Sequence, residues 1–229
     1  MRCLSASPTI GFRQTDRVTI THLEPVLPIV DPPEMAGGDH PMRKVTRQVA
    51  FDGGWDPARA EKVASLFDGM ASEWDQPRRA ADERWAALRD ALERGGVASG
   101  RVVELGSGTG MGSRILVEAG RRPVVALDIA ADMLAHAPAD LAPRVQGDAA
   151  ALPFADGAVD VVVMVNALLF PDEVARVLAA DGCVVWNNTI GEQTPIHLPA
   201  DDVVAALPGE WVGVASRAGT GTWAVVRRA

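Results

Sequence analysis

Residues 102–112, with the sequence VVELGSGTGMG, join a short apolar run to an acidic residue and then place a glycine at every second position. The apolar run is typical of a buried strand, and the glycines leave little side chain between that strand and whatever follows it. Backbone of this kind usually approaches a ligand closely. The stretch therefore predicts a strand-to-helix loop beside a bound small molecule, with the identity of that molecule open.

Downstream of this stretch, short Val-rich runs alternate with helical segments. The expected strands are RVVELG, PVVALDI, RVQGD, VDVVVMVN and GCVVWNNT. Alternating strands and helices form a parallel, doubly wound sheet with right-handed crossovers. Because residues 210–229 read as two strands joined by a short glycine-containing turn, the chain should end in a hairpin. We predict an α/β fold with a mostly parallel, seven-stranded Rossmann-like sheet and a terminal antiparallel strand.

The chain before the sheet divides into two parts. Residues 1–45 contain six of the 16 prolines, which predicts a flexible or weakly structured extension with one short strand at RVTITHL. Residues 46–96 carry two amphipathic helices, the first with Asp56 as N-cap and Pro57 at its first position, the second opening at Pro77. We expect a single domain over 46–229, in which these helices cap the site on the 97–229 sheet.

Composition narrows the class of protein. The 229 residues are 48% hydrophobic and 23% charged, which is ordinary for a globular protein, and the net charge of −8 argues against nucleic acid as a partner. The two cysteines and four histidines show no metal-ligand spacing, so no metal is expected. No run of about 20 apolar residues predicts a membrane span, and the N-terminus lacks a signal-peptide centre, so a cytoplasmic location is expected. The oligomeric state stays open.

The glycine spacing argues against a nicotinamide or flavin cofactor. The dinucleotide fingerprint G-x-G-x-x-G needs a third glycine where this chain has Met111, counting from Gly106, or Ser113, counting from Gly108. The phosphate-loop signature fails as well, because the loop has no lysine. Glu104 would repel a pyrophosphate but suits a ligand with an ammonium or a sulfonium group.

Two further acids follow the next two strands. Asp128 ends the second strand, where a carboxylate accepts hydrogen bonds from ribose hydroxyls. Asp148 follows the third strand and is placed to accept from an exocyclic adenine amine. Each acid alone could be a helix cap, but three acids at successive strand ends indicate a cationic ligand that contains adenosine.

These motifs resemble those of the class I S-adenosylmethionine-dependent methyltransferases, in the branch related to quinone-biosynthesis and small-metabolite enzymes. ELGSGTG matches the family's first motif, ALDIAADML resembles its second, and GDAAALPFADGAVDVVV is close to its third, with Val159 where an aromatic residue is usual. EVARVLAADGCVVW resembles a further motif, although Ala180 and Asp181 replace its residue-then-proline pair. VASLFDGMASEWD is similar to the family's N-terminal helix entry, with Trp74 where tyrosine is common.

The resemblance implies S-adenosylmethionine as cofactor and assigns its contacts. The methionine end would meet Glu104 and the loop backbone, the ribose would meet Asp128, and the adenine would lie between Ile129 and Met133 with its amine at Asp148. The full set of implied cofactor residues is Glu104, Gly106, Ser107, Gly108, Gly110, Asp128, Ile129, Met133, Asp148, Ala149 and, near the sulfonium, Asn166.

The implied reaction is an in-line displacement that transfers the methyl group to a small-molecule acceptor. The sequence after the fourth strand, NALLFPDE, lacks the [ND]-P-P-[YFW] motif of enzymes that methylate nucleic-acid bases or glutamine. Only 19 residues separate Gly191 from Trp211, too few for a large lid, so Trp55 and Trp74 are expected to close the acceptor pocket. Phe67 is a third candidate, although packing in the core is its preferred role.

The catalytic base, if the acceptor needs one, is not identified by any motif. His197 is a weak candidate for the base and for the acceptor pocket, because it follows the fifth strand and imidazole titrates near neutrality. An exposed loop histidine is the competing interpretation. A catalytically inactive module that binds S-adenosylmethionine or a partner protein is the alternative to the enzyme.

Overall fold

The computed structural model describes residues 19–32, 39–75 and 82–229. In these residues one mixed sheet is flanked by helices on both faces. Its strands are β1 Ile20–His22, β2 Val102–Leu105, β3 Val125–Asp128, β4 Arg144–Gln146, β5 Val159–Val165, β6 Leu178–Asn188, β7 Trp211–Ala218 and β8 Gly221–Arg228. The α-helices are α1 Pro41–Phe51, α2 Pro57–Asp68, α3 Asp82–Arg94, α4 Met111–Glu118, α5 Ala131–His136, α6 Pro171–Val177 and α7 Ala200–Ala206.

The strand order determines where a ligand can bind. Across the sheet the order is β1-β7-β8-β6-β5-β2-β3-β4, and β8 runs antiparallel to both of its neighbours, β6 and β7, whereas the other pairs are parallel. The chain builds outward from β2 to β4 and then restarts at β5 on the other side of β2. The crevice beyond the carboxyl ends of β2 and β5 is therefore the switch point at which such sheets bind ligands.

The strand β5 shows how the two faces of the sheet are buried. Val162 and Met164 belong to the core that contains α6 and α7, whereas Val161 and Val163 belong to the core that contains α3 and α4. Successive side chains of a strand point to opposite faces, so a continuous apolar run buries both faces. The Val-rich runs are accordingly interior strands, and the predicted α/β fold with a terminal antiparallel strand is confirmed.

The strand count and the start of the ordered body differ from expectation. Eight strands form the described sheet instead of seven, because β1 adds to the free edge of β7 with Ile20 paired to Gly213. The helix α1 begins at Pro41, inside the expected 1–45 extension, and the imidazole of His40 accepts a hydrogen bond from the Met42 N–H at 3.2 Å. Residues 1–18 and 33–38 lie outside the described part.

The predicted start of α2 is present in the structure. The Asp56 carboxylate accepts a hydrogen bond from the Arg59 N–H at 2.8 Å, and Pro57 occupies the first helical position. The predicted opening of the next helix at Pro77 falls outside the described residues. Among the residues that are described, no helix is both long and apolar enough to cross a membrane.

Candidate functional site

A cavity opens at the carboxyl ends of β2, β3 and β5, at the switch point of the sheet. Its volume is about 1080 Å³ including its open mouth. One side is formed by the glycine loop after β2 and by the segments after β3 and β4. The opposite side is formed by α2, the segment after it, and the residues that follow β5. The cavity thus joins the sheet to the N-terminal helices.

The glycine loop after β2 is built for a close approach of backbone. Gly106 has φ +68°, and a Cβ at this position would lie 2.7 Å from the Cβ of Ala167. The N–H groups of Gly106 and Ser107 both donate to the Leu127 carbonyl, at 2.8 and 3.1 Å, which ties the loop to β3. The Ser107 hydroxyl is buried and has no hydrogen-bond partner in the described residues. This hydroxyl is available to a polar group of a ligand.

Glu104 is a fully buried carboxylic acid beside this loop. Its side chain is 1% exposed and accepts a short hydrogen bond from the Ser113 hydroxyl. A Cβ at position 112 would clash with Glu104 Oε1, so glycine there makes room for the carboxyl group. Burial is the main cause that raises the pKa of Glu104 to about 8; the hydrogen bond from Ser113 opposes the shift, and the charge of Asp128 adds to it. A cationic group of a ligand beside Glu104 would lower this pKa and favour the ionised carboxylate, so the two could form an ion pair.

Asp128 holds the other end of the loop. One carboxylate oxygen accepts from the Gly108 N–H at 2.7 Å, and the other accepts from the Ala130 N–H at 2.9 Å. Burial raises the pKa of Asp128, backbone hydrogen bonds from Ala130, Gly108 and Ile129 lower it, and the charge of Asp68 raises it. Because each carboxylate oxygen accepts more than one hydrogen bond, Asp128 retains capacity for hydroxyl groups of a ligand.

Asp148 is engaged from two sides. Its Oδ2 accepts from the indole N–H of Trp55 at 2.8 Å, and its Oδ1 accepts from the Ala150 N–H at 2.8 Å. Ile129, Met133 and Ala149 line the same side of the cavity, as the family resemblance implies for an adenine site. The contact between Asp148 and the N-terminal cap was not predicted from the sequence, because no motif links the two segments.

Asn166 follows β5 in an uncommon backbone conformation. Its φ is +51°, a left-handed value that costs free energy for a residue other than glycine. Thr189 holds the side chain at both ends, since the Asn166 amide donates to the Thr189 hydroxyl and its carbonyl accepts from the Thr189 N–H, both at 2.9 Å. Asn166 lines the cavity opposite the glycine loop.

The far wall of the cavity is aromatic and apolar. Trp55 packs edge-to-face on Phe170 with ring centroids 5.1 Å apart, and Phe67 packs in the same manner on Trp74 at 5.8 Å. Beyond these rings, the apolar wall consists of Val63, Trp85, Leu168 and Ile196. Phe67 was expected either to close the pocket or to pack in the core. It does both, since it lines the cavity and also packs in the apolar clusters of the cap.

A polar contact ties the cap to the glycine loop. The Thr109 hydroxyl donates to the Asp75 carboxylate at 2.7 Å, so the segment after α2 is anchored beside the loop. Trp74, next to Asp75, lies about 4.0 Å from where a Cβ of Gly108 would be. The two tryptophans expected to close the site, Trp55 and Trp74, both line the cavity.

Two of the sequence-predicted site residues lie outside the cavity lining. Gly110 forms the N-terminal end of α4, and a Cβ there would meet Ala137 and Leu141, so its role is packing against the segment after α5. His197 is 6% exposed, and its Nδ1 accepts from the Arg43 guanidinium at 2.7 Å. The segment after β6 packs on α1, a contact that the sequence analysis did not predict. Because His197 is buried against Arg43 in this contact, its position does not support a role as the catalytic base.

We expect His197→Gln to leave the affinity for S-adenosylhomocysteine within about twofold, because His197 does not line the cavity. Burial and the charge of Arg43 lower the pKa of His197 from 6.5 to about 4. The unfolded chain therefore binds a proton in this window that the folded chain rejects, and stability falls as the pH drops from 6.5 towards 4. The variant should lose roughly 2 kcal/mol of the stability difference between pH 7.5 and pH 5.

Urea unfolding of both proteins at pH 7.5 and pH 5, with isothermal calorimetry of S-adenosylhomocysteine at pH 7.5, measures both effects. A variant that binds the ligand more than tenfold more weakly would contradict the placement of His197 outside the site. An unchanged pH dependence of stability would contradict its burial as a neutral imidazole.

Several lining residues carry no sequence signal of their own. Phe170 and Ile196 face the cavity from the segments after β5 and β6, and Asp75 reaches the glycine loop from the cap. Phe170 lies in the run NALLFPDE after β5, and this position after a buried strand is the feature of the sequence that could have indicated it. Ile196 lines the cavity whereas its neighbour His197 does not, and sequence spacing does not reveal which of the two faces it.

The residues of the cofactor side of the cavity coincide with a known domain. Residues 103–185 match the family model described as "Methyltransferase domain". The chain resembles the class I S-adenosylmethionine-dependent methyltransferases. The resemblance indicates S-adenosylmethionine as the cofactor. The buried Glu104 fits its amine, the Ser107 hydroxyl, which has no partner among the described residues, fits its carboxylate, and Asp128 fits its ribose hydroxyls.

A demethylmenaquinone methyltransferase of Mycolicibacterium vanbaalenii is 38% identical to this chain over 108 residues, which are 45% of the chain and 46% of that relative. The chain thus spans less than half the length of the curated relatives that it matches.

Solved structures show the same fold over a larger share of the chain. The DhpI complex with S-adenosylhomocysteine superposes with a TM-score of 0.59 at 24% identity, covering 74% of this chain and 96% of that one. A possible histamine N-methyltransferase from Thermotoga maritima superposes with a TM-score of 0.55 at 15% identity, covering 72% and 99%. At these identities the likeness concerns the fold.

Proposed function

We propose that this chain transfers the methyl group of S-adenosylmethionine to a small, planar, apolar acceptor of the quinol type. The observation that carries the proposal is one continuous cavity with two chemically different walls. Buried acids and bare glycine backbone line the wall formed by the sheet, and aromatic rings line the wall formed by the cap. A cavity with this division suits a charged donor and an apolar acceptor side by side.

The donor wall supplies orientation and charge. The Glu104 carboxyl and the Ser107 hydroxyl would hold the amino-acid end, Asp128 the ribose hydroxyls and Asp148 the adenine amine. S-adenosylmethionine supplies, when bound, a methyl group on a cationic sulfur whose transfer leaves the neutral thioether S-adenosylhomocysteine. Because the leaving group is neutral, the main tasks of the protein are to align the acceptor atom with the methyl carbon and to exclude water.

The aromatic wall formed by the cap favours an acceptor with a flat, apolar ring. The paired rings Trp55–Phe170 and Phe67–Trp74, with Leu168 and Ile196, offer flat apolar surface, which favours an aromatic ring over an aliphatic amine. The name of the Mycolicibacterium relative refers to demethylmenaquinone, a naphthoquinone lacking a ring methyl group. The reduced form of such a ring carries an electron-rich carbon that can attack the methyl group directly. The bond from this carbon to the methyl forms as the bond from the methyl to sulfur breaks, and the ring carbon then releases its proton to a base or to solvent.

Binding and turnover together test the proposal. Calorimetry is expected to detect S-adenosylmethionine and S-adenosylhomocysteine and no binding of NADH. With S-adenosylmethionine and a reduced, short-chain demethylnaphthoquinone, S-adenosylhomocysteine should accumulate with the methylated ring. Phe170→Ala should raise the KM for the quinol at least about tenfold, a larger factor than its effect on the affinity for S-adenosylhomocysteine, because Phe170 belongs to the apolar wall and reaches the adenine side only through its contact with Trp55.

Each contrary result has its own meaning. Binding of NADH without either sulfur ligand would overturn the cofactor. Cofactor binding without turnover on reduced quinones, phenols or amines would favour the alternative of an inactive binding module. Turnover on an aliphatic amine in place of the quinol would retain the methyl transfer and reject the class of acceptor.

A further inference from the structure

Trp55 connects two parts of the molecule that are far apart in sequence. It precedes α2, whereas its hydrogen-bond acceptor Asp148 lies 93 residues later, after β4. Trp55 and Asp148, together with Ile129, line both the main cavity and an adjacent open groove. The indole therefore stands at the edge of the cavity where the adenine subsite meets the groove.

The carboxylate of Asp148 is held in one orientation by two donors. The Ala150 N–H binds Oδ1 and the Trp55 indole N–H binds Oδ2, each at 2.8 Å. The indole is itself held from the other side by the edge-to-face contact with Phe170, at 5.1 Å and 76°. Since Asp148 is only half-buried, the Ala150 contact alone leaves the second oxygen free to turn towards water. Trp55 removes that freedom.

The Asp148 carboxylate can accept more hydrogen bonds than the two that it has. Each carboxylate oxygen accepts more than one hydrogen bond, so both oxygens keep a lone pair that can face the cavity. An adenine amine placed there gains an acceptor, whereas a purine with a carbonyl at the same position faces a fixed negative charge. A site that presents an oriented polar group discriminates more strongly than one in which that group can turn away.

We infer that Trp55 is a positioning residue that determines the choice of purine base by holding Asp148 towards the adenine amine. The inference rests on the proposed function, because it takes an adenosine ligand as given. It extends that function by assigning base specificity to a residue of the N-terminal cap. The cap then contributes to both walls, since the same indole ring packs on Phe170 in the acceptor wall.

Base selectivity measured by calorimetry tests this role. The two probes are S-adenosylhomocysteine and S-inosylhomocysteine, which has a carbonyl in place of the adenine amine. The wild-type protein is expected to prefer the adenine compound at least about tenfold. Trp55→Phe keeps an aromatic ring beside Phe170 but removes the N–H, and we expect it to reduce the preference to less than about threefold, mainly by weaker binding of the adenine compound.

The controls separate positioning from general damage. Trp74→Phe changes a second cavity tryptophan, which packs on Phe67, and it should leave the ratio of the two affinities unchanged. Asp148→Asn keeps Trp55 in place and should also reduce the ratio, and adding Trp55→Phe to it should reduce the ratio no further. Unfolding midpoints of all variants report whether the fold is retained.

The results fall into separate classes. Loss of affinity by the same factor for both compounds in Trp55→Phe would overturn the inference, and so would a retained preference in that variant. If Trp55→Phe does not fold, an unchanged ratio in Asp148→Asn still overturns it. If the wild-type protein binds neither compound, the proposed function itself fails.

Discussion

Asp128→Ala is expected to weaken the binding of S-adenosylhomocysteine by about ten- to a hundredfold. The variant loses the acceptor proposed for the ribose hydroxyls, which costs on the order of 1 kcal/mol. It also leaves the N–H groups of Gly108 and Ala130 without their carboxylate acceptor, so the glycine loop loses its anchor to the end of β3. We expect the free energy of unfolding to fall by about 2 kcal/mol for the same reason.

Calorimetry of S-adenosylhomocysteine and urea unfolding at pH 7.5 measure the two losses. Asp201→Ala, at an exposed position in the first turn of α7, removes the same group far from the cavity and should change both quantities by less than about 0.5 kcal/mol. Unchanged affinity in Asp128→Ala would refute the assignment of this residue to the ribose. Unchanged stability would refute its role as the anchor of the loop.

Glu104→Gln is expected to make the ligand-free protein more stable at alkaline pH. Burial raises the pKa of Glu104 from 4.5 to about 8, so the folded chain retains a proton that the unfolded chain releases between these values. For an acid with a raised pKa, stability falls as the pH rises through this window. The wild-type protein should lose roughly 3 kcal/mol from this group between pH 5 and pH 8, and the variant should lose none of it.

Glutamine can still accept the Ser113 hydrogen bond, so the gain in stability should come without a new unpaired group. The same variant should bind S-adenosylhomocysteine at least about tenfold more weakly, because the ligand amine loses its negative partner. Stability would thus be gained and affinity lost at one residue, as expected where a buried charge serves binding.

Unfolding curves at pH 5, 6.5 and 8 compare the slopes of stability against pH. The matched control is Glu118→Gln. Glu118 is an exposed acid at the end of α4 that pairs with Arg89 of α3, and its replacement should keep the wild-type slope. Parallel slopes for the wild-type protein and Glu104→Gln would show that Glu104 is ionised throughout. Equal affinity of the two proteins for S-adenosylhomocysteine would contradict the proposed contact between Glu104 and the ligand amine.

Sequence patterns predicted the cofactor side of the site because short-range constraints determine it. The glycine interval follows β2, and Glu104, Asp128 and Asp148 lie within β2, at the end of β3 and just after β4. The strands β2 and β3 are recognisable as apolar runs. Carboxyl ends of parallel strands meet at one edge of the sheet, so their position follows once the strands are assigned. The loop in 102–112 thus indicated a cationic, phosphate-free ligand, and the family resemblance named it.

Other features did not follow from local patterns. A short strand at RVTITHL was predicted, but its position at the free edge of β7 depends on tertiary pairing, and α1 lies in a proline-rich region whose composition predicted little regular structure. Gly110 belongs to the glycine series by spacing, yet its direction is set by packing against the segment after α5. These outcomes depend on partners that are remote in sequence.

What the sequence by itself determined is the parallel sheet, the glycine loop and the position of the acids that we propose hold the cofactor, because each depends on a pattern within a few residues. The tertiary structure alone decided that His197 faces Arg43 and that Trp55 contacts Asp148. Both contacts join the N-terminal cap to segments that lie 93 or more residues further along the chain. Such pairs form only when the cap packs on the sheet, since packing, and not spacing, selects which face of each segment meets the other.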